Sequence, residues 1–159
     1  MFIYLGYFGP YILNFISFVL VFFSYPWLFP PLMCFTLLSY VVNFSIKNIV
    51  KQPRPTNEIR LFNSDHMKID TYGMPSGHAQ IVSFFTLILM YLYKNTYLSI
   101  FSLIVSLATY YQRWLYRAHT LGQVVVGACL GAATGYIFIF YINDTYLEDE
   151  NPLQLDNGL

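Results

Sequence analysis

Five long runs of apolar residues divide most of this 159-residue chain. A bilayer core of about 30 Å is crossed by roughly 20 residues of helix, at about 1.5 Å per residue. Each run approaches that length and keeps its charges toward its ends. We therefore predict an all-α fold, a membrane helix bundle of about five transmembrane helices. The predicted spans cover approximately residues 2–24, 28–50, 76–93, 97–113 and 119–142.

Composition fits a chain that is solvated by lipid. Hydrophobic residues make up 57% of the sequence and charged residues 10%, far from the balance of a soluble protein. The formal net charge is zero, so nothing in the total points to a nucleic-acid partner, and we predict none. Residues 1–20 carry no charge, unlike a cleaved signal peptide, so we expect the first run to be retained as a helix. Cys34 and Cys129 fall inside apolar runs, which argues against a disulfide framework or a cysteine metal site. We predict one transmembrane domain, 1–142, and an acidic tail, 143–159.

The chemically active residues group at one membrane face. Helices that cross in alternation bring the end of the second, the start of the third, the end of the fourth and the start of the fifth to the same side. The longest polar segment, 51–75, belongs to that side and is too polar to lie in lipid. We expect the candidates at this face to form one site at the membrane interface: Lys47, Arg54, Ser76, His78, Arg113 and His119.

These residue types are typical of a phosphate site. Lys47, Arg54 and Arg113 would supply hydrogen-bond donors and positive charge to phosphoryl oxygens. Ser76 and Gly77 open a helix, where free backbone N–H groups and the positive end of the helix dipole also attract an anion. The pattern predicts that an anion with several oxygens binds among them.

Two histidines add the means to break a phosphorus–oxygen bond. One imidazole can attack phosphorus and form a phosphohistidine, while a second, protonated imidazole gives a proton to the leaving oxygen. Gln123 follows His119 by four residues, so its side chain could orient the second ring nitrogen of His119. His78 has no such neighbour. We therefore predict His119 as nucleophile, His78 as general acid and then base, and Gln123 as the residue that orients the nucleophile.

Three motifs carry a resemblance to a known family. They are Lys47 with Arg54-Pro55 after six residues, then Pro75-Ser76-Gly77-His78, then Arg113 with His119 after five residues and Gln123 after three more. They resemble, over residues 47–123, the motifs of the type 2 phosphatidic acid phosphatase superfamily. The resemblance implies a lipid phosphatase that needs no metal or cofactor. It also implies that phosphate is bound by Lys47, Arg54, Ser76, Gly77 and Arg113.

Two positions depart from the pattern of that superfamily. Gln112 stands where the family usually has Ser, and Gln123 where it has the Asp that orients the nucleophile. A neutral amide can accept from the imidazole N–H but cannot stabilise an imidazolium by charge. Dolichyldiphosphatases carry Gln at the second position, and residues 72–80 and 119–124 are similar to theirs. The resemblance to that branch implies a polyprenyl diphosphate substrate, cleaved to the monophosphate and orthophosphate. We expect Gln123→Asp to retain or raise activity.

Other interpretations stay open on the sequence alone. The motifs set the reaction but not the lipid, so a phosphatidate or phosphatidylglycerophosphate phosphatase is one alternative. A non-catalytic lipid-binding membrane protein of the same fold is another. Gln80 belongs either to the site or to helix packing. The spacing of Gly127, Gly131 and Gly135 predicts close packing of the fifth helix against a neighbour.

The side of the membrane on which the site lies is also open. The positive-inside rule places the basic face in the cytoplasm, but a phosphate site needs the same cations. The resemblance to dolichyldiphosphatases implies the lumenal face of the endoplasmic reticulum membrane instead. The oligomeric state is not predicted. We expect Asp65, His66 and Asp70 to be a solvated loop rather than a metal site, and the remaining basic residues to be interface anchors: Lys51, Arg60, Lys68 and Arg117.

Overall fold

Five helices make up most of the protein, as the apolar runs predict. The structure, a computed structural model, describes residues 2–59, 61 and 72–147. A 3-10 turn, Pro26–Leu28, joins the first two helices, and a π-helical turn, Asn143–Leu147, extends the fifth. Among the described residues the only β pairing is an isolated bridge between Pro53 and Tyr72. The helices are α1 (Phe2–Ser24), α2 (Phe29–Val50), α3 (Gly77–Tyr93), α4 (Thr96–Leu115) and α5 (Leu121–Ile142).

Local sequence explains where the helices begin and end. Pro30 lies in the first turn of α2, where a missing N–H leaves no helical hydrogen bond unmade. Asn95 caps α4, because its Oδ1 accepts a hydrogen bond from the N–H of Leu98 at 3.0 Å. Lys51 and Lys94 end α2 and α3 in the left-handed conformation, with φ of 50° and 44°. The turn between α3 and α4 is therefore short, and the two helices are antiparallel neighbours.

α3 is the central helix of the bundle. It packs against α5, α4 and α1, and its Phe84 and Phe85 are fully buried. It has 17 residues, about 26 Å of helix. Among the described residues, three other helical stretches are long and apolar enough to cross a membrane: Ile3–Ser24, Pro26–Val50 and Leu121–Tyr146. The chain is thus an all-α membrane helix bundle, which confirms the predicted fold class.

Glycines let α5 approach the backbone of α3. A methyl group on Gly127 would overlap the carbonyl oxygen of Ser76, and one on Gly131 would overlap the carbonyl oxygen of Gln80. Gly135 continues the same stripe against Leu87, where a methyl group would lie 3.3 Å from the side chain. Small residues permit this close contact between helices in lipid. The predicted packing role of the glycine stripe is confirmed, and it fixes the start of α3 against the start of α5.

Hydroxyl groups join α3 to α4. The Ser83 and Tyr110 hydroxyls lie 2.5 Å apart, and those of Thr86 and Ser106 lie 2.8 Å apart. Such bonds between helices satisfy polar groups that lipid cannot solvate. α3 is thereby held to α5 by close backbone packing and to α4 by hydrogen bonds.

Several sequence expectations concern residues outside the described ranges. Arg60, Asp65, His66, Lys68 and Asp70 belong to this group, as does the tail beyond Leu147. The chain stays helical through Leu147, past residue 143, where the sequence suggests that the acidic tail begins.

Candidate active site

The three sequence motifs meet at one end of the bundle. The N–H of Ser76 donates to the carbonyl oxygen of Gln123 at 3.0 Å, which joins the start of α3 to the first turn of α5. The N–H of Gly73 donates to the carbonyl oxygen of Gln52 at 2.8 Å, which joins the segment before α3 to the segment after α2. The N–H of His119 reaches back to the carbonyl oxygen of Arg113 at 3.2 Å. The helix ends that the sequence assigns to one face therefore come together.

The cations of this end are largely removed from solvent. Lys47 is 4% exposed and Arg113 is 7% exposed. Lys47 lies in the last turn of α2, where the helix dipole favours positive charge. Arg54 is less buried, and its Nη1 lies 3.7 Å from Oε1 of Glu58. Burying a guanidinium or an ammonium is costly unless an anion or several acceptors meet it.

Arg113 lies over an aromatic ring contributed by α1. Its guanidinium carbon is 5.1 Å from the centre of the Tyr7 ring, a cation–π arrangement. Its Nε and Nη2 are buried and have no hydrogen-bond partner among the described residues. Packing therefore holds these two charged N–H groups in place, and neither donates a hydrogen bond to the described residues.

His119 is fixed by a backbone carbonyl. Its Nδ1 lies 2.8 Å from the carbonyl oxygen of Gly73, and the ring is 3% exposed. A carbonyl only accepts, so Nδ1 carries the proton and the lone pair of the neutral ring is on Nε2. Burial, followed by the charges of Arg54 and Arg113, lowers the pKa of His119 from 6.5 to about 3. The imidazole is thus neutral and carries the free lone pair that a nucleophile requires.

The predicted hydrogen bond from Gln123 to His119 is not formed. Gln123 and Thr120 instead make a capping box, with Oε1 of Gln123 accepting from the N–H of Thr120 at 3.1 Å. Nε2 of Gln123 donates to the carbonyl oxygen of Pro53 at 3.0 Å and to Oε1 of Gln52 at 3.1 Å. These bonds use both N–H donors of the amide, and Nδ1 of His119 donates to the Gly73 carbonyl instead. The Thr-x-x-Gln pattern of residues 120–123 indicates this capping box in the sequence itself.

His78 stands in the first turn of α3 with aromatic neighbours from α1. Its ring centre is 6.2 Å from that of Tyr7 and 6.4 Å from that of Tyr11. Its Nε2 is buried and has no hydrogen-bond partner among the described residues. His78 lies within electrostatic reach of Arg113 and His119, and also of Arg54 and Lys47. The two histidines and the three cations therefore share one small region.

Three residues near the site have positions that the motifs do not predict. Tyr7, on α1, contacts both Arg113 and His78; it lies far away in sequence, and no motif signals it. Gln112 is buried beside Gly6 of α1, where a methyl group on the glycine would lie 2.6 Å from Cβ of Gln112. Gln80 binds α2, donating to the carbonyl and hydroxyl oxygens of Ser39 at 2.9 Å and 2.8 Å. Those bonds favour the packing interpretation of Gln80.

The part of the chain that the structure describes contains no group of three or more His, Cys, Asp or Glu side chains placed to hold a metal ion. Positive charge at the site comes from Lys47, Arg54 and Arg113. A polyanionic group would meet ammonium and guanidinium donors there.

The fold and the site define the class of protein. It is a helical membrane bundle with a buried cluster of cations and histidines at one end. The sequence profile of the PAP2 superfamily matches residues 27–146. The chain belongs to the PAP2 superfamily, which confirms the resemblance drawn from its three motifs.

Curated relatives place the chain near one group of that superfamily. It is 37% identical over 116 residues to a dolichyldiphosphatase of Saccharomyces cerevisiae, covering 67% of this chain and 48% of the relative. It is 28% identical over 124 residues to dolichyldiphosphatase 1 of Homo sapiens, covering 67% and 50%. It is 34% identical over 118 residues to the chloroplastic lipid phosphate phosphatase epsilon 2 of Arabidopsis thaliana, covering 68% and 37%. The chain spans about half the length of these relatives, or less.

A solved structure shares the fold. The transmembrane PAP2-type phosphatidylglycerolphosphate phosphatase from Bacillus subtilis is similar with a TM-score of 0.72 at 15% sequence identity. The similarity covers 89% of this chain and 74% of that one. At this identity the comparison establishes the helical architecture and leaves the substrate to other observations.

Proposed function

We propose that the protein is an integral membrane phosphatase that hydrolyses a polyprenyl diphosphate, such as dolichyl diphosphate, to the monophosphate and orthophosphate. One observation carries the proposal. Oγ of Ser76, Nε2 of His78 and the Nε and Nη2 atoms of Arg113 are buried without hydrogen-bond partners among the described residues. Buried polar atoms are rarely left unpaired, so a cluster of them beside cations indicates a site for an anionic group.

In this proposal the phosphoryl oxygens bind to Lys47, Arg54, Arg113 and the start of α3. The backbone N–H groups that follow Ser76 lie at a helix N-terminus, where an anion is favoured. A methyl group on Gly77 would make only ordinary contact with the described residues, at 3.5 Å from Oδ1 of Asn43. No packing among those residues requires glycine there, which supports close approach of the substrate to the backbone.

The first half of the reaction uses both histidines. Nε2 of His119 attacks the terminal phosphorus, and the bond between that phosphorus and the bridging oxygen breaks. His78, protonated, gives its proton to the bridging oxygen as the polyprenyl monophosphate leaves. Lys47, Arg54 and Arg113 stabilise the negative charge of the transferring group. The product of this half is a phosphohistidine at position 119.

The second half releases orthophosphate. His78, now neutral, accepts a proton from a water molecule that attacks the phosphohistidine. The nitrogen–phosphorus bond breaks, its electron pair returns to Nε2 of His119, and orthophosphate leaves. Each histidine ends in the protonation state in which it began.

The choice of lipid rests on the relatives and on position 123. Two relatives named dolichyldiphosphatase match across 67% of the chain, and dolichyldiphosphatases resemble this chain in carrying Gln at the position of Gln123. The apolar exteriors of the spans suit a substrate whose tail stays in the bilayer. We propose the endoplasmic reticulum membrane as its location on the same grounds.

Phosphate release from purified protein in detergent tests the proposal. The substrates are a polyprenyl diphosphate, phosphatidate, phosphatidylglycerophosphate and a soluble diphosphate, with His119→Ala as the matched control. We expect release to be fastest from the polyprenyl diphosphate and to be lost in the control. Faster release from either phospholipid would reassign the substrate. No release from any substrate by folded protein would favour the lipid-binding alternative.

Thiol labelling tests the orientation. With Cys34 and Cys129 replaced by Ser, single cysteines are placed at Asn57, beside the site, and at Asn95, at the opposite end of the bundle. We expect a membrane-impermeant reagent to label only Asn95→Cys in intact endoplasmic reticulum vesicles whose cytosolic face is outward. Labelling of Asn57→Cys alone would place the site in the cytoplasm.

A further inference from the structure

The nucleophile of the proposed reaction is oriented by a backbone group and not by a side chain. Nδ1 of His119 donates to the carbonyl oxygen of Gly73 at 2.8 Å. Both residues are buried. Gly73 precedes the second motif and belongs to none of the three.

Gln123 braces the backbone around that carbonyl. A methyl group on Gly73 would lie 2.5 Å from Oε1 and 2.6 Å from Nε2 of Gln123, so the amide lies directly against Cα of Gly73. Nε2 of Gln123 also donates to the carbonyl oxygen of Pro53. The N–H of Gly73 donates to the carbonyl oxygen of Gln52, the residue before Pro53. One amide side chain thus supports both segments that fix the position of the Gly73 carbonyl.

We infer that the Gly73 carbonyl sets the tautomer and orientation of His119, and that Gln123 is a positioning residue that acts through Gly73. The inference rests on the proposed function, because it assigns these roles for phosphoryl transfer. In a catalytic triad, the third residue holds the imidazole in one tautomer and orientation. A neutral acceptor, such as a backbone carbonyl, can also accept the imidazole N–H and hold one tautomer. A carbonyl does so without a second buried charge.

This arrangement reverses the expectation for Gln123→Asp. The shorter carboxylate cannot donate to Pro53 or Gln52, and it would carry charge at a position that is 0% exposed. Gly73 would lose its brace, while Nδ1 of His119 already has an acceptor in the Gly73 carbonyl. We expect kcat to fall in this variant.

The experiment reads the tautomer directly. Protein labelled with ¹⁵N in its three histidines is studied by NMR in detergent, and the His119 signals are assigned by their loss in His119→Asn. We expect a protonated Nδ1 and an unprotonated Nε2 in the wild type. In Gln123→Met, which keeps side-chain bulk and removes the hydrogen bonds, we expect a mixture of tautomers. We also expect a loss in kcat on the order of 10- to 100-fold, with KM changed less than about threefold.

Gln80→Met is the matched control. Gln80 is also buried, at 1% exposed, and hydrogen-bonded, but to Ser39 and Asn43 of α2 and not to the Gly73 segment. We expect this change to leave the His119 tautomer as in the wild type. Equal disturbance of the tautomer by both changes would overturn the inference, because general loosening of the bundle would then explain it.

Gly73→Ala serves if Gln123→Met does not fold. It keeps the Gln123 amide and forces a methyl group against it, so we expect the same mixture of tautomers. A wild-type His119 protonated on Nε2, or either variant with the wild-type tautomer and kcat, would overturn the inference. The NMR measurement needs no substrate, so absence of phosphatase activity would count against the proposed function alone.

Discussion

The two histidines of the site have contrasting surroundings. His119 lies in the loop between α4 and α5, and its ring is held by a 2.8 Å hydrogen bond to the carbonyl of Gly73, which precedes α3. The first turn of α3 holds His78 between aromatic rings of α1, with Nε2 unpaired among the described residues. A ring fixed in one tautomer suits a nucleophile, whereas a ring with an uncommitted nitrogen suits proton transfer in both directions. The contrast in geometry supports the two proposed roles, as the motifs do.

The largest expected effect comes from replacing each histidine and comparing substrates whose leaving groups differ in acidity. His119→Ala is expected to lower kcat/KM on the order of 10⁴-fold or more for both an alkyl phosphate and an aryl phosphate, because both need the nucleophile. His78→Ala is expected to lower it by about 10²- to 10⁴-fold for the alkyl phosphate. For the aryl phosphate, whose leaving oxygen needs little protonation, the loss is expected to stay below about tenfold. Phosphate release from both compounds provides the measurement.

The reverse pattern would exchange the assignments. If His119→Ala were sensitive to the leaving group while His78→Ala abolished both reactions, His78 would be the nucleophile.

Arg113 joins the two regions, so its replacement is expected to affect both. Its carbonyl accepts from the N–H of His119, and its guanidinium covers the Tyr7 ring beside His78. Arg113→Lys keeps the charge but loses the planar pair of donors, and we expect kcat/KM to fall by roughly 100-fold for alkyl and aryl substrates alike. Thermal stability in detergent is measured alongside. Wild-type activity in this variant would show that charge alone suffices.

His119 is expected to make the stability of the protein depend on pH. Because its folded pKa is about 3, below the ordinary 6.5, His119 binds a proton more readily when unfolded. Its contribution to stability is complete above about pH 6.5 and is lost as pH falls toward 3. Between about pH 7.5 and pH 5 this loss amounts to about 2 kcal/mol.

Unfolding free energies in mixed micelles, measured by SDS titration at the two pH values, test this expectation. His119→Asn, whose amide can still donate to the Gly73 carbonyl, is expected to show a pH dependence smaller by that amount. An unchanged dependence would mean that His119 is not held neutral.

The smallest expected effect concerns the His78 side. Tyr7→Leu removes the ring beneath Arg113 and beside His78, and we expect kcat/KM to fall about 3- to 30-fold, as for loss of one cation–π contact. Tyr7→Phe keeps the ring and is expected to stay within about threefold of the wild type. An equal loss in both variants would show that the hydroxyl of Tyr7, and not its ring, is responsible.

The sequence predicts the parts of the fold and site that depend on periodic or charged residues. The apolar runs locate all five helices to within a few residues, and alternation of the spans brings Lys47, Ser76 and His119 to one face. The role of the Gly73 carbonyl was not predictable in this way, because every residue carries a backbone carbonyl and only the tertiary fold selects one. Tyr7 was missed because α1 contributes it from outside the motifs. Helical spacing predicts the wrong partner for Gln123, because its side chain forms a capping box with Thr120 and does not bond to His119.

Trapping the covalent intermediate tests the central claim most directly. His78→Ala protein lacks the base for hydrolysis, whereas formation of the intermediate releases a phosphate monoester, whose acidic leaving oxygen needs little protonation. The variant is mixed with a polyprenyl diphosphate labelled on its terminal phosphorus, quenched at alkaline pH and digested for peptide mapping. We expect the label on the peptide that contains His119, as an acid-labile phosphohistidine, and no label when His119→Ala is combined with it. Label on any other residue, or turnover by the wild type without a labelled intermediate in either protein, would contradict the account.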